Sequence, residues 1–379
     1  MDMVNYGIIG CGMMAREHIA NINLLPHGRV TVVYDPVREL AENCAVLAGK
    51  DGVAAQAVIA DTLYDFLTFS DLDAVVIVSP NQLHARQLHE VVTKRPLPIL
   101  CEKPLYTDPA DRGALDALFK GYPHPVWVAM EYRYMPPVAA LIEQAEQATG
   151  GISMLTIREH RFPFLSKIGD WNRFNANTGG TLVEKCCHFF DLMRLILKAE
   201  PVRVMASAGQ ALNHKDESYD GQVPDIWDNG YVIVDFDSGA RAMLELCMFA
   251  EGSRYQEEIS VVGPKGKIEC LVPGPGRFWP AKLGPAPVPQ LIISPRVPQG
   301  PITMDIPVDP TLLNAGDHNG STFYQHQRFN AVVRGQGRVE VTVSDGAKAV
   351  AMGIAAQESA RTGQAVTLPV GNAGDNAIV

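Results

Sequence analysis

A single lysine stands where a buried strand is predicted to end, in the run Cys101-Glu102-Lys103-Pro104. The apolar residues before it, Leu97 to Leu100, are typical of a strand inside a parallel sheet. Much earlier, the chain carries a glycine-rich turn with the spacing of a dinucleotide fingerprint, from Gly10 to Ala15. Sheets that open with such a turn hold ligands beyond the carboxyl ends of their strands. The order of these motifs therefore predicts a nicotinamide enzyme whose Lys103 contacts the substrate.

The glycine-rich turn supplies the small residues that a bound dinucleotide requires. Gly10 permits the tight turn, Gly12 lets the backbone approach a pyrophosphate, and Ala15 allows close packing of helix on strand. The backbone N–H groups at the helix start, at Met13 and Met14, are then predicted to face the phosphates.

An acidic residue closes the second predicted strand, as the fingerprint requires. Asp35 follows Gly12 at close to the expected offset and could accept hydrogen bonds from the adenosine ribose hydroxyls. Its charge would repel a 2′-phosphate, which favours NAD over NADP, although the nearby Arg38 weakens this preference. The alternative is that Asp35 is a turn or capping residue before Pro36.

The segment after the third strand offers two compatible interpretations. Ser79 or Asn81 could cap the helix that follows, or the segment up to His84 could lie beneath the nicotinamide ribose. We predict a cofactor site formed by Gly10, Gly12, Met13, Met14, Asp35, Ser79, Asn81, His84, Glu102 and Lys103.

The elements that position these residues alternate between strands and helices. The predicted strands are Tyr6 to Ile9, Arg29 to Tyr34, Ala74 to Val78, Pro98 to Cys101 and Val126 to Met130. Helical patterns at Met13 to Leu25, Val37 to Ala48, Thr62 to Thr68 and His84 to Thr93 separate them. This alternation predicts an α/β fold in which residues 1–130 form a Rossmann domain with a doubly wound parallel sheet.

Residues 131–379 are predicted to form an α/β domain for substrate binding and oligomerisation, with a large, mostly antiparallel open sheet. The predicted strands are Ser153 to His160, Val202 to Ala208, Tyr231 to Phe236, Ala240 to Phe249, Glu257 to Val262 and Lys267 to Leu271. One helix is predicted from Thr181 to Leu197, and another, from Asp345 to Arg361, is predicted to pack back on the body. The proline-rich residues 273–310 are predicted to be an extended surface segment.

The composition excludes several classes of protein. The 379 residues are 47% hydrophobic, which suits two domains with a substantial core. The net charge of −10 argues against a nucleic-acid partner. No apolar run approaches the roughly 18 residues of a membrane span, and no signal peptide precedes the strand pattern at Val4, so we predict a cytoplasmic enzyme. The seven scattered cysteines lack a CxxC pair, and we predict no metal site.

The chain resembles the Gfo/Idh/MocA family, the group of glucose-fructose oxidoreductase and inositol dehydrogenase. The matching pieces, in the family's order, are Gly10 to Ala15, Asp35, Ser79-Pro80-Asn81 with His84, Glu102-Lys103-Pro104, Tyr132-Arg133-Tyr134, and Gly179-Gly180 leading to His188 and Asp191. Beyond about residue 200, the resemblance depends on the run of strands alone. It implies NAD as cofactor, a Rossmann domain followed by an α/β domain, and a homo-oligomer, which we expect to be a dimer or tetramer.

The resemblance also implies the catalytic residues. Lys103 would hydrogen-bond the reacting hydroxyl, and His188 would be the general base. The family often has an aspartate four residues before this histidine, where this chain has Glu184; that spacing puts the two side chains on one helix face. An imidazole can take a hydroxyl proton near neutrality, and an ammonium can stabilise the developing alkoxide. The alternative is that His188 is a core histidine; Lys185 and Asp191 are interpreted as surface or packing residues.

Cations around a tryptophan precede the Gly179 turn, in the region that approaches the far end of the substrate in related enzymes. They suggest a sugar or cyclitol with an anionic group, although alternate residues of a strand could simply point to solvent. The predicted substrate-binding residues are Tyr132, Arg133, Arg158, His160, Lys167, Trp171, Asn172, Arg173, His318 and Tyr324.

Two activities fit these residues. The first is an NAD-dependent dehydrogenase that takes hydride from a ring hydroxyl of a sugar, sugar acid or inositol. The second, also known in this superfamily, is an NAD-dependent glycosidase. It oxidises a ring hydroxyl transiently, eliminates the aglycone, adds water and restores the alcohol, and a sulfonated sugar such as a sulfoquinovoside would suit the cations. A non-enzymatic NAD sensor is disfavoured, because Lys103 and His188 are both in place.

Overall fold

The computed structural model describes residues 3–49, 56–297 and 299–369. The remaining positions of the two predicted domain ranges, 1–2, 50–55, 298 and 370–379, lie outside the described residues. Two sheets organise the described chain, one of six strands and one of nine. The boundary that we place near residue 130 stays a prediction.

The first sheet is entirely parallel, with the strand order β3-β2-β1-β4-β5-β6. Its strands are β1 (Val4–Ile9), β2 (Gly28–Tyr34), β3 (Val58–Ile59), β4 (Ala74–Ile77), β5 (Ile99–Cys101) and β6 (Val126–Val128). The apolar run of β4 is buried along its whole length, as expected for a strand covered on both faces. The predicted doubly wound parallel sheet is confirmed.

Five helices accompany this sheet: α1 (Met13–Ile22), α2 (Arg38–Ala48), α3 (Leu63–Thr68), α4 (His84–Lys94) and α5 (Asp111–Phe119). The strand order reverses between β1 and β4, so the ligand crevice opens at the carboxyl ends of these two strands. Gly10 and Ser79 lie at those ends, and Glu102 and Lys103 follow β5 beside them. The fold therefore brings the separate motifs to one edge of the sheet.

The second sheet is antiparallel except where β7 pairs with β10. Its order is β14-β13-β12-β11-β7-β10-β9-β8-β15. The strands are β7 (Met154–His160), β8 (Pro201–Gly209), β9 (Asn229–Phe236), β10 (Arg241–Cys247), β11 (Glu257–Gly263), β12 (Gly266–Val272), β13 (Gln290–Pro295), β14 (Ile302–Asp305) and β15 (Val366–Thr367). Alternate residues of β7 and β10 are buried, so one face of the sheet carries the core. The predicted large, mostly antiparallel sheet is confirmed.

The helices of this part are α6 (Pro136–Thr149), α7 (Asn175–Thr178), α8 (Thr181–Glu184), α9 (Cys187–Leu197), α10 (Pro310–Ala315), α11 (Ser321–Val333) and α12 (Val343–Thr362). Short 3₁₀ turns occur at Asn81–Leu83, Glu131–Tyr134, Ile168–Arg173, Gly276–Phe278 and Ala281–Leu283. A capping box of Thr342 and Asp345 begins α12. Helix α11 packs on α1, which accompanies the first sheet, and His326 of α11 lies 2.7 Å from His18 of α1. No helix within the described ranges has the length and apolar character to cross a bilayer.

Two local predictions differ from the structure. The helix predicted from Thr181 to Leu197 is interrupted at 185–186, and the carbonyl of Glu184 at this break accepts a hydrogen bond from Lys103. The proline-rich segment contains two strands, β13 and β14, that extend the sheet. Proline is tolerated there because Pro295 is the last residue of β13 and lies beyond the stretch, Gln290 to Ile293, that pairs with β14.

Candidate active site

The glycine-rich turn has the shape of a phosphate cradle. Gly10 has φ +92°, and a Cβ there would lie 2.6 Å from the backbone nitrogen of Ser79, so only glycine fits. Gly12 caps α1, and a Cβ built on it would meet no protein atom within 4 Å. Ala15 is buried, whereas Met13 at the helix start is 45% exposed. The start of α1 therefore has open space in front of its N–H groups, which suits a pyrophosphate.

Asp35 links the glycine-rich turn to the end of β2. Its two carboxylate oxygens accept hydrogen bonds from the backbone N–H groups of Cys11 and Val37, each at 2.8 Å. Each oxygen keeps a lone pair that a ribose hydroxyl can use. The Arg38 guanidinium is paired with Asp61 at 2.7 Å. Asp35 can therefore stabilise the turn and bind the ribose hydroxyls at the same time. The Arg38 guanidinium is already paired with Asp61, so it does not offer a free positive charge for a 2′-phosphate.

Asp35→Asn is expected to weaken NADH binding by about tenfold or more, because a charge-assisted hydrogen bond contributes ~1.5–3 kcal/mol. The same change is expected to narrow the preference for NADH over NADPH, since the charge that repels a 2′-phosphate is removed. Fluorescence titration of both reduced cofactors would measure this, with the exposed Asp116→Asn on α5 as control. Unchanged NADH affinity in Asp35→Asn would contradict the assignment.

The segment after β4 joins the cofactor crevice to the second domain. Asn81 donates a hydrogen bond to the Glu184 carboxylate, and the Ser79 hydroxyl hydrogen-bonds Gln87. The His84 ring is fully buried, with its two nitrogens 2.7 Å and 3.0 Å from the carbonyl oxygens of Pro104 and Ser79. His84 was predicted to contact the cofactor, but both of its nitrogens already face carbonyl groups beneath the loop, so it supports the loop instead.

Glu102 is part of a buried network that sequence reasoning missed. Its carboxylate lies 2.9 Å from Nε2 of His18, and Nδ1 of His18 lies 2.7 Å from Nε2 of His326. Burial would raise the pKa of Glu102, but His18 outweighs it and holds that pKa below its usual value. The backbone N–H of Lys103 donates to the other Glu102 oxygen at 3.2 Å. Glu102 therefore orients the peptide that carries Lys103. In the sequence, this network was indicated only by His18, which lies about one helical turn after Ala15.

The Lys103 ammonium lies at the mouth of this crevice, with 16% of its side chain exposed. Its Nζ donates to the Glu184 carbonyl at 2.9 Å and lies 3.7 Å from Oε1 of the Glu184 carboxylate. Burial lowers the pKa of Lys103, but Glu184 outweighs it, so the pKa is raised and the group stays protonated. Burial would likewise raise the pKa of Glu184, yet Lys103 and Lys167 hold it below its usual value. Held by Glu184, the Lys103 ammonium can thus present a fixed positive charge to a substrate oxygen.

His188 is held as a neutral imidazole. Its ring stacks on Tyr132, with ring centroids 4.1 Å apart and planes 8° apart. Burial lowers its pKa well below 6.5, and the charges of Lys103 and Lys185 lower it further. Its Nδ1 is buried without a hydrogen-bond partner among the described residues. A general base must be unprotonated near neutral pH, and the low pKa of His188 meets this requirement.

A buried ionic cluster contacts the Tyr132 hydroxyl. Lys185 lies 2.5 Å from the Tyr132 hydroxyl and 2.8 Å from the Glu159 carboxylate. Glu257 lies on the neighbouring strand directly opposite Glu159, and burial together with the Glu159 charge raises its pKa to about 7. Lys185 was interpreted as a surface or packing residue, but it is 4% exposed and faces inward. The strand alternation of β7 could have indicated this, because Glu159 lies on its core face.

Two predicted substrate residues lie on the other face of the second sheet. Arg158 pairs with Glu258 at 3.1 Å, and His160 pairs with Glu245 at 3.0 Å. Since successive residues of a strand point to opposite faces, both are directed away from Glu159 and the Lys185 ammonium. The alternative that these residues simply point to solvent fits their position better than substrate contact.

Three further predicted substrate residues make internal contacts. Arg173 pairs with Glu217 at 2.8 Å, and the Asn172 amide donates to the Leu165 carbonyl at 2.9 Å. Arg133 is bound by both carboxylate oxygens of Asp191, and breaking such a buried pair typically costs about 3–5 kcal/mol. These side chains hold the site's walls together, and their donors are occupied within the protein.

The remaining predicted residues border the crevice or lie behind it. His318 is 2.8 Å from Glu17 on α1, and its ring centroid lies 6.0 Å from that of Tyr132. Burial lowers the pKa of His318, but Glu17 and Glu131 outweigh it and raise that pKa to about 9. The possible ligand atoms of Glu17, Glu131 and His318 lie within 4.8 Å of one another, but they already pair with each other and with Thr322.

Tyr324 lies on α11, partly buried, with its ring against Phe323. Lys167 and Trp171 lie together, with the Lys167 ammonium 4.5 Å from the centre of the Trp171 ring. Lys167 is also close enough to Glu184 to influence its pKa, which places this pair beside Lys103. Of the predicted substrate residues, Tyr132, Lys167, Trp171 and His318 are therefore grouped around the crevice.

A parallel sheet of the dinucleotide-binding order, a phosphate cradle and a lysine–histidine pair define an NAD-binding oxidoreductase. Comparison with protein families agrees. Residues 4–130 match the NAD-binding Rossmann fold of the GFO_IDH_MocA oxidoreductase family, and residues 145–368 match its C-terminal alpha/beta domain. The protein belongs to the Gfo/Idh/MocA oxidoreductase family, and NAD is its cofactor.

Known relatives include several inositol dehydrogenases. The inositol 2-dehydrogenase of Rhizobium meliloti is 27% identical over 266 residues, which cover 70% of this chain and 74% of the relative. A solved structure of a putative myo-inositol dehydrogenase from Sinorhizobium meliloti aligns with a TM-score of 0.76 and 21% identity, over 97% of this chain and 100% of that one. The Lactobacillus casei myo-inositol dehydrogenase, solved with NAD(H) and myo-inositol, aligns with a TM-score of 0.74 and 19% identity, over 98% of both chains.

Proposed function

We propose that the protein is an NAD-dependent dehydrogenase that oxidises a ring hydroxyl of a sugar, sugar acid or inositol. The observation that carries this proposal is the neutral His188 ring, stacked on Tyr132 and close enough to the Lys103 ammonium for that charge to lower its pKa. Both side chains lie where the cofactor crevice meets the second sheet. The relatives named inositol dehydrogenase support a polyol as substrate.

His188 and Lys103 have different roles in the oxidation of the alcohol. NAD, when bound, accepts the hydride from the carbinol carbon. His188 takes the hydroxyl proton, for which its imidazole must be neutral, as its low pKa ensures. Lys103 stabilises the negative charge that develops on the oxygen, because its raised pKa keeps it protonated. Glu184 holds Lys103 in place, and Asn81 ties Glu184 to the cofactor loop.

Incubation with NAD and a panel of inositols, free sugars, sugar acids and glycosides would test the proposal. We expect stoichiometric NADH formation with at least one polyol of the panel. No NADH with any of them would contradict the dehydrogenase. Release of an aglycone without net NADH, lost when NAD is removed, would instead indicate the redox-assisted glycosidase, which uses the same first hydride transfer.

The proposed homo-oligomer is supported by the outer face of the second sheet. Met154, Tyr231 and Ile233 point outward there and are 57%, 56% and 41% exposed. Exposed apolar side chains on one face of a sheet are typical of an interaction face, and a second copy of the chain would cover them.

A further inference from the structure

Most charged side chains around His188 have a partner at close range. Lys103 is held by Glu184, Lys185 by Glu159, and His318 by Glu17. Each of these three cations therefore already has a hydrogen-bond acceptor inside the protein. A bound substrate does not need to neutralise them.

Lys167 and Arg161 are different. Among the described residues, the Lys167 ammonium makes no hydrogen bond or ion pair, and its contact is the face of the Trp171 ring. The Arg161 guanidinium donates to the Phe162 carbonyl at 3.2 Å and reaches Glu159 only at 3.6 Å. Glu159 is already bound closely by Lys185, so Arg161 keeps donors that no close carboxylate receives.

Both cations lie close enough to the reaction centre, and to each other, for their charges to be felt there. Each lowers the pKa of a neighbouring catalytic group, Lys167 that of Glu184 and Arg161 that of His188, although burial and Lys103 have the larger effects on these groups. Lys167 is itself half-buried, and holding an ammonium there without an acceptor is unfavourable. The oxidised nicotinamide adds another positive charge to the same crevice. An anion on the substrate would balance these charges.

We propose that the substrate is an anionic polyol, whose oxyanion is held by Lys167 and Arg161 while His188 and Lys103 act on a ring hydroxyl. This inference rests on the proposed function, because it places the anion beside the same reacting hydroxyl. Lysine and arginine are the residues that bind a carboxylate, sulfonate or phosphate through charge-assisted hydrogen bonds. The shared chemistry is a negatively charged oxygen group on a hydroxyl-rich ring, and the three groups are separate arms of the test.

The test compares matched substrates in the full-length protein with NAD. Methyl glucoside is measured beside its 6-carboxylate, 6-sulfonate and 6-phosphate analogues, and myo-inositol beside an inositol monophosphate. We expect kcat/KM for at least one anionic member to exceed that of its neutral counterpart by about tenfold or more. Lys167→Met and Arg161→Gln are each expected to reduce that value by about tenfold and to reduce kcat/KM for the neutral member by a smaller factor.

Arg158→Gln is the matched control, because it makes the same change as Arg161→Gln on the opposite face of the sheet. It is expected to retain the preference for the anionic member. Equal use of the anionic and neutral members by the wild type would overturn the proposal. So would equal losses on both members in Lys167→Met and Arg161→Gln.

A binding measurement separates this proposal from the proposed function. Calorimetric titration of the NADH-loaded protein with the same pairs requires no turnover. Tighter binding of an anionic member, lost in Lys167→Met, supports the anion site even if no panel member is oxidised. Equal binding of charged and neutral members would overturn the anion site while leaving the dehydrogenase unaffected.

Discussion

His188→Asn is expected to reduce kcat/KM by about 10²–10⁴-fold while leaving NADH binding intact. The reason is that His188, stacked on Tyr132 close to Lys103, offers a neutral imidazole that can take the hydroxyl proton. Asparagine keeps a polar side chain of smaller size but cannot accept a proton near neutral pH. Steady-state kinetics with the best substrate and fluorescence titration with NADH measure the two effects.

The pH dependence of the wild type gives a second measurement of the same assignment. The base must be unprotonated, and burial with the Lys103 charge holds the pKa of His188 well below 6.5. We therefore expect kcat/KM to stay level as the pH falls from 8 to 6.5 and to decline only below that range. The exposed His89→Asn on α4 is the control and should change neither activity nor profile. Wild-type kcat/KM in His188→Asn would remove His188 from the mechanism.

Lys103→Met is expected to reduce kcat/KM by about 10²–10³-fold, the usual cost of removing one donor to a developing oxyanion. Methionine keeps the length of the side chain but removes the positive charge from the alkoxide. NADH binding is expected to persist, because the phosphate cradle at the start of α1 is untouched. Kinetics and NADH titration measure these two results.

Lys103→Met also removes the cation that is paired with the buried Glu184 carboxylate, and we expect this to lower the stability of the fold. Thermal unfolding should therefore be measured in parallel. Lys103→Arg keeps the charge and restores the pair with Glu184, but it alters the position of the donors. We expect it to recover stability while remaining below wild type in kcat/KM. The exposed Lys94→Met serves as the control for loss of a lysine. A fully active Lys103→Met would contradict the role of the ammonium.

The cofactor half of the molecule could be predicted because its signals are local. The turn at Gly10, the apolar run of β4 and the acid at Asp35 are each recognisable from a short stretch of the sequence. Parallel sheets with this turn bind dinucleotides in one place, so local motifs were sufficient to predict the crevice. The role of His84 was different, because its burial beneath Pro104 depends on a turn that its own segment does not encode.

The substrate half could be predicted only in outline. The residues near Trp171 were recognised as a group of cations, but their partners are contributed by distant strands and loops. Arg158 forms an ion pair with Glu258, and Arg173 forms one with Glu217. The Lys167 ammonium, by contrast, has no acceptor among the described residues. Which cation is free depends on strand register and on the path of a loop, and neither follows from the residue types.

The sequence by itself determined that a lysine would end a buried strand at the mouth of a dinucleotide crevice, because periodicity and turn chemistry are local properties. Through the resemblance, it also predicted that His188 would act together with Lys103. Only the tertiary structure decided which charges surround that pair. The contact of His18 with His326 and the break after Glu184 require elements from both parts of the chain to pack together. Long-range packing selects which polar groups are satisfied, and the Lys167 ammonium is one that it leaves without an acceptor among the described residues.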